Sequence, residues 1–227
     1  MTDIQRRGIG ILGGTFDPVH TGHLALAKAA WESLPVARLN FLPAGIPWQK
    51  NGITAPEHRL AMLTGAVQAL DRDEFGVDPV ELHRPGATYT IDTVREYREK
   101  AGPSMPIVLV MGEDQWRNLC TWHDWEKLLD YCHFAVANRE TALSAPKELE
   151  ILLKCHRVEA SELRLTPSGG IALFRMPAHR ASSTEIRESL ARLPLRSALA
   201  RVGEFLPADV LTYILDHKLY GSSQEEV

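Results

Sequence analysis

Two histidines, His20 and His23, stand three positions apart and closely follow the glycine pair Gly13-Gly14. The apolar run Ile9–Leu12 before the glycines is typical of a buried parallel strand. A helix that begins just beyond them would point free backbone N–H groups and its positive end at an anion above the sheet. Glycines let an anion approach the backbone, and both imidazoles can donate hydrogen bonds to phosphate oxygens. The spacing therefore predicts a phosphate site.

The same turn supplies further predicted phosphate ligands. We expect Thr15 and Phe16 to contact the phosphates and Thr21 to cap the helix. Farther along, a proline-containing loop after the second predicted strand ends at Lys50, whose ammonium group can reach a phosphate. The turn fits neither the Gly-Lys-Ser/Thr of a Walker A loop nor the Gly-x-Gly-x-x-Gly of the dinucleotide fingerprint. Because a Gly-Gly pair alone is more often a simple turn, the prediction depends on the whole combination.

A second helix start lies near the C-terminus, at Ser182-Ser183-Thr184. Ser182 and Glu185, three residues later, form a capping-box pattern. Arg187 lies one turn into this helix, so hydroxyls, a helix N-terminus and a guanidinium group would meet a second anionic group. On its own this pattern indicates an ordinary helix start. Together with the first site, it predicts a triphosphate that spans both helix starts.

The region between these segments holds candidates for binding a nucleoside. Asp114 follows an apolar strand and a glycine, so its carboxylate can accept hydrogen bonds from ribose hydroxyls, with helix capping as the alternative. Trp122 and His123 lie in a loop segment. The indole ring of such a tryptophan either stacks on a heteroaromatic base or packs into the core.

Composition agrees with a cytosolic enzyme and indicates little more. The net charge is −4 over 227 residues, so nucleic acid is not an expected partner. The N-terminal residues run directly into a strand, and we expect neither a signal peptide nor a membrane span. Three cysteines without a Cys-x-x-Cys pair favour reduced thiols and a cytoplasmic location. Each cysteine lies near a histidine, but the spacings match no zinc knuckle, so no protein metal site is expected.

Apolar runs and helical patterns alternate along the chain. Strands are predicted at Ile9–Leu12, Leu39–Leu42, Phe75–Val80, Ile107–Met111, Phe134–Ala137 and Ile171–Phe174. Helices are predicted at Gly22–Leu34, Glu57–Leu70, Thr90–Lys100, Trp125–Tyr131, Lys147–Cys155, Ser183–Arg192, Leu195–Ala200 and Ala208–Lys218. This alternation predicts an α/β fold with a doubly wound parallel sheet and ligands at the carboxyl ends of its strands. We expect one domain over residues 1–227, with a helical part at about 180–220 and a disordered tail at 221–227.

The segment His20-Thr21-Gly22-His23 resembles the phosphate-binding signature of the nucleotidylyltransferase superfamily, and Ser182–Arg187 resembles its second signature. Ala87–Thr93, the pair Thr121-Trp122 and Tyr213–Tyr220 extend the resemblance to one family, the bacterial nicotinate-nucleotide adenylyltransferases. It covers nearly the whole chain. The resemblance implies a Rossmann-like fold and an enzyme of NAD biosynthesis. That enzyme joins nicotinate mononucleotide to the AMP moiety of ATP and releases pyrophosphate, with Mg²⁺ accompanying ATP.

The resemblance also implies roles for the predicted phosphate ligands. His23 would bind the α-phosphate of ATP, and His20 and Arg187 would bind the triphosphate tail. Thr15 and the Gly14 backbone would contact the phosphates. The chain departs from the family pattern in the loop after the second strand, where Gln49 stands in place of a histidine found in many relatives.

On the mononucleotide side, Thr88, Thr90 and Trp122 would lie at the nicotinate ring, and Asp114 would bind the ribose. His123 stands where relatives often have a tyrosine. No Asp or Glu is expected at the ring, so backbone and hydroxyl donors of the threonine segment favour the acid over the amide. The alternatives are an adenylyltransferase for nicotinamide mononucleotide or phosphopantetheine, or a regulator that binds nucleotide without catalysis. The sequence leaves the oligomeric state open.

Overall fold

The computed structural model describes residues 8–45, 53–138 and 145–222. Within these ranges the strands are β1 (Gly8–Gly14), β2 (Val36–Pro43), β3 (Phe75–Val77), β4 (Ile107–Met111), β5 (His133–Asn138) and β6 (Ile171–Arg175). They form one sheet in the order β3-β2-β1-β4-β5-β6, and every pairing is parallel. The predicted doubly wound parallel sheet is therefore confirmed. The chain reverses its direction of travel across the sheet between β1 and β4, which is where ligands bind in such folds.

The longer helices flank this sheet. They are α1 (Thr21–Ser33), α2 (Pro56–Gln68), α3 (Thr90–Ala101), α6 (Lys147–His156), α7 (Ser183–Arg192), α8 (Leu195–Val202) and α9 (Ala208–Asp216). Two shorter helices are α4 (Glu113–Arg117) and α5 (Leu128–Tyr131). We did not predict α4, because five residues are too few to show a helical period. The predicted helix Trp125–Tyr131 is a 3₁₀ turn, Trp125–Lys127, that continues into α5.

Side chains alternate between the two faces of the sheet, and each face packs on its own helices. Leu12 and Val110 lie in a core with residues of α1, α2 and α7 to α9. Their neighbours Ile11 and Leu109 lie in a second core with residues of α3 to α6. This period of two is what a strand buried on both faces requires. Because the C-terminal helices share a core with the sheet, we keep the one-domain organisation as our proposal.

Two details of the strands correct the sequence reading. The third predicted strand, Phe75–Val80, ends at Val77, because Pro79 has no N–H to offer a ladder and a 3₁₀ helix, Val80–His83, begins beyond it. Gly8, Gly10 and Gly13 do have the spacing of the dinucleotide fingerprint. All three lie inside β1 rather than in the turn after it, so they do not form that phosphate loop.

Candidate active site

A cavity of about 560 Å³ opens at the carboxyl ends of β1 and β4. This volume lies in the range of small-molecule sites. Its lining contains both signatures and the segments between them. The predicted site residues that line it are Gly13, Gly14, Thr15, His20, His23, Thr88, Thr90, Asp114, Trp122, His123, Ser182, Ser183, Thr184 and Arg187. Lys50 and Gln49 lie outside the described residues.

The two signature histidines form a stacked pair at the start of α1. Their ring centroids are 3.7 Å apart, with 22° between the ring planes. The backbone N–H of His20 donates to Nδ1 of His23 over 3.2 Å. In its neutral form the His23 ring therefore carries its proton on Nε2, which makes that nitrogen a donor. His20, and not Thr21 as predicted, is the N-cap residue, since Thr21 already has helical geometry.

His20 is a neutral ring rather than a cation. It is only 7% exposed, and burial lowers its pKa to about 4, with the nearby His179 adding to the effect. Within the described part of the chain, its buried Nδ1 has no hydrogen-bond partner. A buried polar atom without a partner is costly. The arrangement suits a ligand that completes this hydrogen bond.

A third histidine, His179, also lines the cavity, and the sequence analysis missed it. Its Nδ1 accepts a hydrogen bond from the Ala181 N–H over 3.2 Å. Gly22 lies between it and the signature pair: a Cβ there would be 3.1 Å from the His20 ring and 3.2 Å from His179 Nδ1. The glycine of the signature therefore leaves room for both rings. The only signal for His179 was its place three residues before Ser182.

Phe16 supports the phosphate turn from beneath. Its side chain is 1% exposed and packs on Phe41 and on the His23 ring. A Cβ on Gly14 would lie 3.0 Å from Phe16 Cζ, so the second glycine of the turn allows this close approach. The Phe16 side chain belongs to the core and is not part of the described cavity lining, so its contact with phosphate stays a prediction for its backbone.

The start of α7 is attached directly to the first signature. Ser183 Oγ donates to the Pro18 carbonyl over 3.0 Å, and Arg187 donates to the Asp17 carbonyl over 2.6 Å. Ser182 Oγ accepts from the Glu185 N–H over 3.5 Å, as the capping box predicts. The Glu185 carboxylate instead accepts from Arg201, over 3.0 and 2.9 Å. The two helix starts are thus bonded to each other and form one continuous wall of the cavity.

The opposite wall comes from several separate segments. Asp114 is exposed in the first turn of α4 and lies against Gly112, where a Cβ would be 2.7 Å from its Oδ1. Gln115 attaches α4 to the first strand, since its Nε2 donates to the Gly13 carbonyl over 3.1 Å. The ring centroids of Tyr89 and His123, which both line the cavity, are 4.5 Å apart, and Trp122 is half-buried.

Glu81 contradicts the expectation that no acidic residue lies near the ring site. It is 9% exposed, lines the cavity with Thr88 and Thr90, and accepts a hydrogen bond from Thr93 Oγ1 over 2.7 Å. Burial raises the pKa of its carboxyl, while hydrogen bonds from Thr93, Thr88 and the Gly45 backbone oppose that rise. Its oxygens are thus already engaged by protein donors. Glu81 directly follows the predicted strand Phe75–Val80, and no motif or spacing in the sequence indicates that it lies at the site.

The described residues hold no cluster of three or more His, Cys, Asp or Glu side chains arranged to bind a metal ion. No helix among them combines the length and the apolar character needed to cross a bilayer. Cys120, Cys132 and Cys155 are free thiols outside the cavity lining.

Comparison with known proteins agrees with this geometry. A model of the cytidylyltransferase-like family matches residues 11–189, a span that includes both signatures. The chain belongs to the cytidylyltransferase-like family. The matched span includes both segments that begin the helices at the cavity.

Relatives of this cytidylyltransferase-like chain carry a more specific name. A protein of Herminiimonas arsenicoxydans named "Probable nicotinate-nucleotide adenylyltransferase" is 39% identical over 221 residues, 95% of this chain and 98% of the relative. A Bordetella petrii protein of the same name is 40% identical over 214 residues, 93% of this chain and 98% of the relative. The resemblance read from the sequence is confirmed.

A solved structure shares the fold. It is the Plasmodium falciparum nicotinic acid mononucleotide adenylyltransferase complexed with NaAD, which superposes with a TM-score of 0.71 at 18% identity. The match covers 95% of this chain and 98% of that one. At this identity the likeness establishes the Rossmann-like nucleotidylyltransferase fold.

Proposed function

We propose that this chain joins nicotinate mononucleotide to the AMP moiety of ATP, giving nicotinate adenine dinucleotide and pyrophosphate in NAD biosynthesis. One observation carries the proposal: a single cavity brings together two helix starts rich in donors and the Thr88–Thr90 and Trp122 segments. Relatives that match more than nine-tenths of the chain are named for the same reaction.

Adenylyl transfer needs positioning and charge stabilisation rather than a covalent intermediate. A phosphate oxygen of the mononucleotide attacks the α-phosphorus of ATP in line, a P–O bond forms, and the bond to pyrophosphate breaks. Negative charge builds up on the equatorial and leaving oxygens, where fixed donors act most strongly. None of the three cysteines lines the cavity, which agrees with direct transfer.

The donors divide between the two ends of the triphosphate. We assign the α-phosphate to His23, whose Nδ1 is already occupied by the His20 N–H. His20 and Arg187 then bind the triphosphate tail, together with Ser182 and the hydroxyls beside it. Because His20 is held neutral, it can donate a hydrogen bond without adding charge. Arg187 supplies the fixed positive charge on this side.

Mg²⁺ enters this proposal as part of the substrate, MgATP. Mg²⁺ favours phosphate and water oxygens and is often bound through few protein ligands. Charge neutralisation on the outer phosphate oxygens is the chemistry that it supplies. A cytoplasmic location and the absence of a nucleic-acid partner stay predictions from the sequence.

The choice of acid over amide follows from the ring site. Helix α3 begins at Thr90, so its first N–H groups and positive end favour a carboxylate. Glu81 does not reverse this preference, since Thr88, Thr93 and the Gly45 backbone already donate to it. An amide would place an NH₂ group among donors, which costs about 1–3 kcal/mol. We therefore propose nicotinate mononucleotide over nicotinamide mononucleotide.

A panel assay tests the proposal. Pyrophosphate release is measured with ATP and, in turn, nicotinate mononucleotide, nicotinamide mononucleotide and phosphopantetheine. The proposal expects the first to be preferred. Preference for another acceptor would show that the chain is an adenylyltransferase for that acceptor. No pyrophosphate release with any of the three would support a regulator that only binds nucleotide.

A further inference from the structure

Arg59 is a buried guanidinium behind the cavity wall. It lies in the first turn of α2, is 1% exposed, and does not belong to the described lining of the cavity. Neither signature includes it. Arginine is rarely buried without full pairing, so its contacts indicate what it does.

The guanidinium donates to three backbone carbonyls from three parts of the chain. Nε donates to Thr54 over 3.0 Å, Nη1 to Thr15 over 2.9 Å and Nη2 to Gly45 over 3.1 Å. A planar fork with donors on all three nitrogens can hold three acceptors at fixed angles. A lysine ammonium would bring the same charge but not this geometry.

Two of these acceptor carbonyls, those of Thr15 and Gly45, belong to segments on opposite sides of the cavity. Thr15 belongs to the phosphate turn. The cavity wall around Glu81, Thr88 and Trp122 is the mononucleotide wall. Gly45 lies against it, because a Cβ there would collide with the Glu81 backbone and lie 2.8 Å from Thr88 Cγ2. The Arg59 side chain therefore ties the turn that faces the triphosphate to the wall that faces the ring.

Asp17 compensates the buried charge. Burial lowers the pKa of Arg59, and the Asp17 carboxylate opposes that change. Asp17 Oδ2 accepts from the Thr54 N–H over 3.2 Å, and Oδ1 accepts from the Tyr220 hydroxyl over 2.6 Å. Thr54 thus contacts both charges, through its carbonyl on one side and its N–H on the other.

We propose that Arg59, with Asp17 as its compensating charge, is a positioning residue that holds the phosphate turn and the Gly45 segment in register for in-line transfer. The proposal rests on the proposed function, since it assigns Arg59 a part in that reaction. Arg59 itself would contact neither substrate and would act through Thr15 and Gly45.

The test is Arg59→Lys, assayed by pyrophosphate release with both substrates varied. We expect kcat to fall by about 10- to 100-fold, because a misplacement of about 1 Å at the reacting groups has an effect of this size. Both KM values should change less than kcat. The matched control is Arg201→Lys, an exposed arginine that contacts the Glu185 carboxylate, which should stay within about twofold of wild type.

Lysine separates positioning from charge compensation. If Arg59 only balanced Asp17, the lysine variant would keep wild-type kcat per folded molecule, with the folded fraction measured by circular dichroism at the assay temperature. That result would overturn the proposal. Where Arg59→Lys does not fold, Asp17→Asn keeps the side-chain shape and removes the compensating charge. We expect it to lower kcat by about three- to tenfold, and a folded Asp17→Asn with wild-type kcat overturns the proposal equally.

Failure of the proposed function would look different. In that case wild type itself would not use nicotinate mononucleotide, and the Arg59 comparison would be made with the acceptor that wild type does use.

Discussion

The phosphate wall and the mononucleotide wall of the cavity are built in different ways. The phosphate wall comes from two short segments that bond to each other, as Ser183 does to Pro18 and Arg187 to Asp17. The mononucleotide wall is assembled from separate pieces around Glu81, Thr88 and Trp122. We expect function in the first wall to depend on single donors, and function in the second to depend on how the pieces pack together. Substitutions should therefore act strongly and separately in the first wall, and weakly in the second.

The largest effect is expected at His23 in the phosphate wall. His23→Ala should lower kcat by about 10²- to 10³-fold, the usual loss for one donor that acts in the transition state. The fold should survive, which the melting temperature checks. His217→Ala, at an exposed histidine outside the cavity lining, is the control and should match wild type. A His23→Ala enzyme within threefold of wild type would remove His23 from the reacting centre.

Arg187 should give the next largest effect, and it should fall on one substrate. Arg187→Ala should raise the KM for ATP by about 10- to 100-fold, because a charged hydrogen bond contributes roughly 1.5–3 kcal/mol. Initial rates with ATP and mononucleotide varied separately measure this. Arg192→Ala, at an exposed position of the same helix, is the control. If the mononucleotide KM rises instead, our assignment of the two phosphate sites is reversed.

Glu81 should give the smallest effect, confined to the other wall. Glu81→Gln should raise the KM for nicotinate mononucleotide by about three- to tenfold, since its NH₂ group would face the donors of Thr88 and Thr93. The KM for ATP should not change. Glu99→Gln, at an exposed position of α3, serves as the control. An equal rise in both KM values would show that Glu81 affects the binding of both substrates, so that the two walls do not act independently there.

The same contrast explains what the sequence could and could not predict. The residues of the phosphate wall could be predicted to lie together because they belong to two segments whose glycine, histidine and hydroxyl spacings have a local meaning. All six strands were readable for a similar reason, as runs of apolar residues buried on both faces. The β3 boundary was missed because Pro79 ends the ladder inside an apolar run.

Glu81, His179 and Arg59 were missed because long-range contacts define their roles. A carboxyl or guanidinium group in a sequence normally indicates a solvated face, and nothing local predicts burial. Glu81 is buried because Thr88 and Thr93 donate to it. Arg59 is buried because three backbone carbonyls accept from it, two of them in segments outside its own helix start. Such partners become visible only when the chain is folded.

The most direct test of the account is the acceptor preference of the wild-type enzyme. Pyrophosphate release and dinucleotide formation are measured with MgATP and either nicotinate mononucleotide or nicotinamide mononucleotide. We predict a kcat/KM for the acid at least 10- to 100-fold above that for the amide, since the amide would leave a polar group unmet among donors. Equal or reversed preference would contradict the substrate assignment while leaving adenylyl transfer in place, and no pyrophosphate with either would contradict the account as a whole.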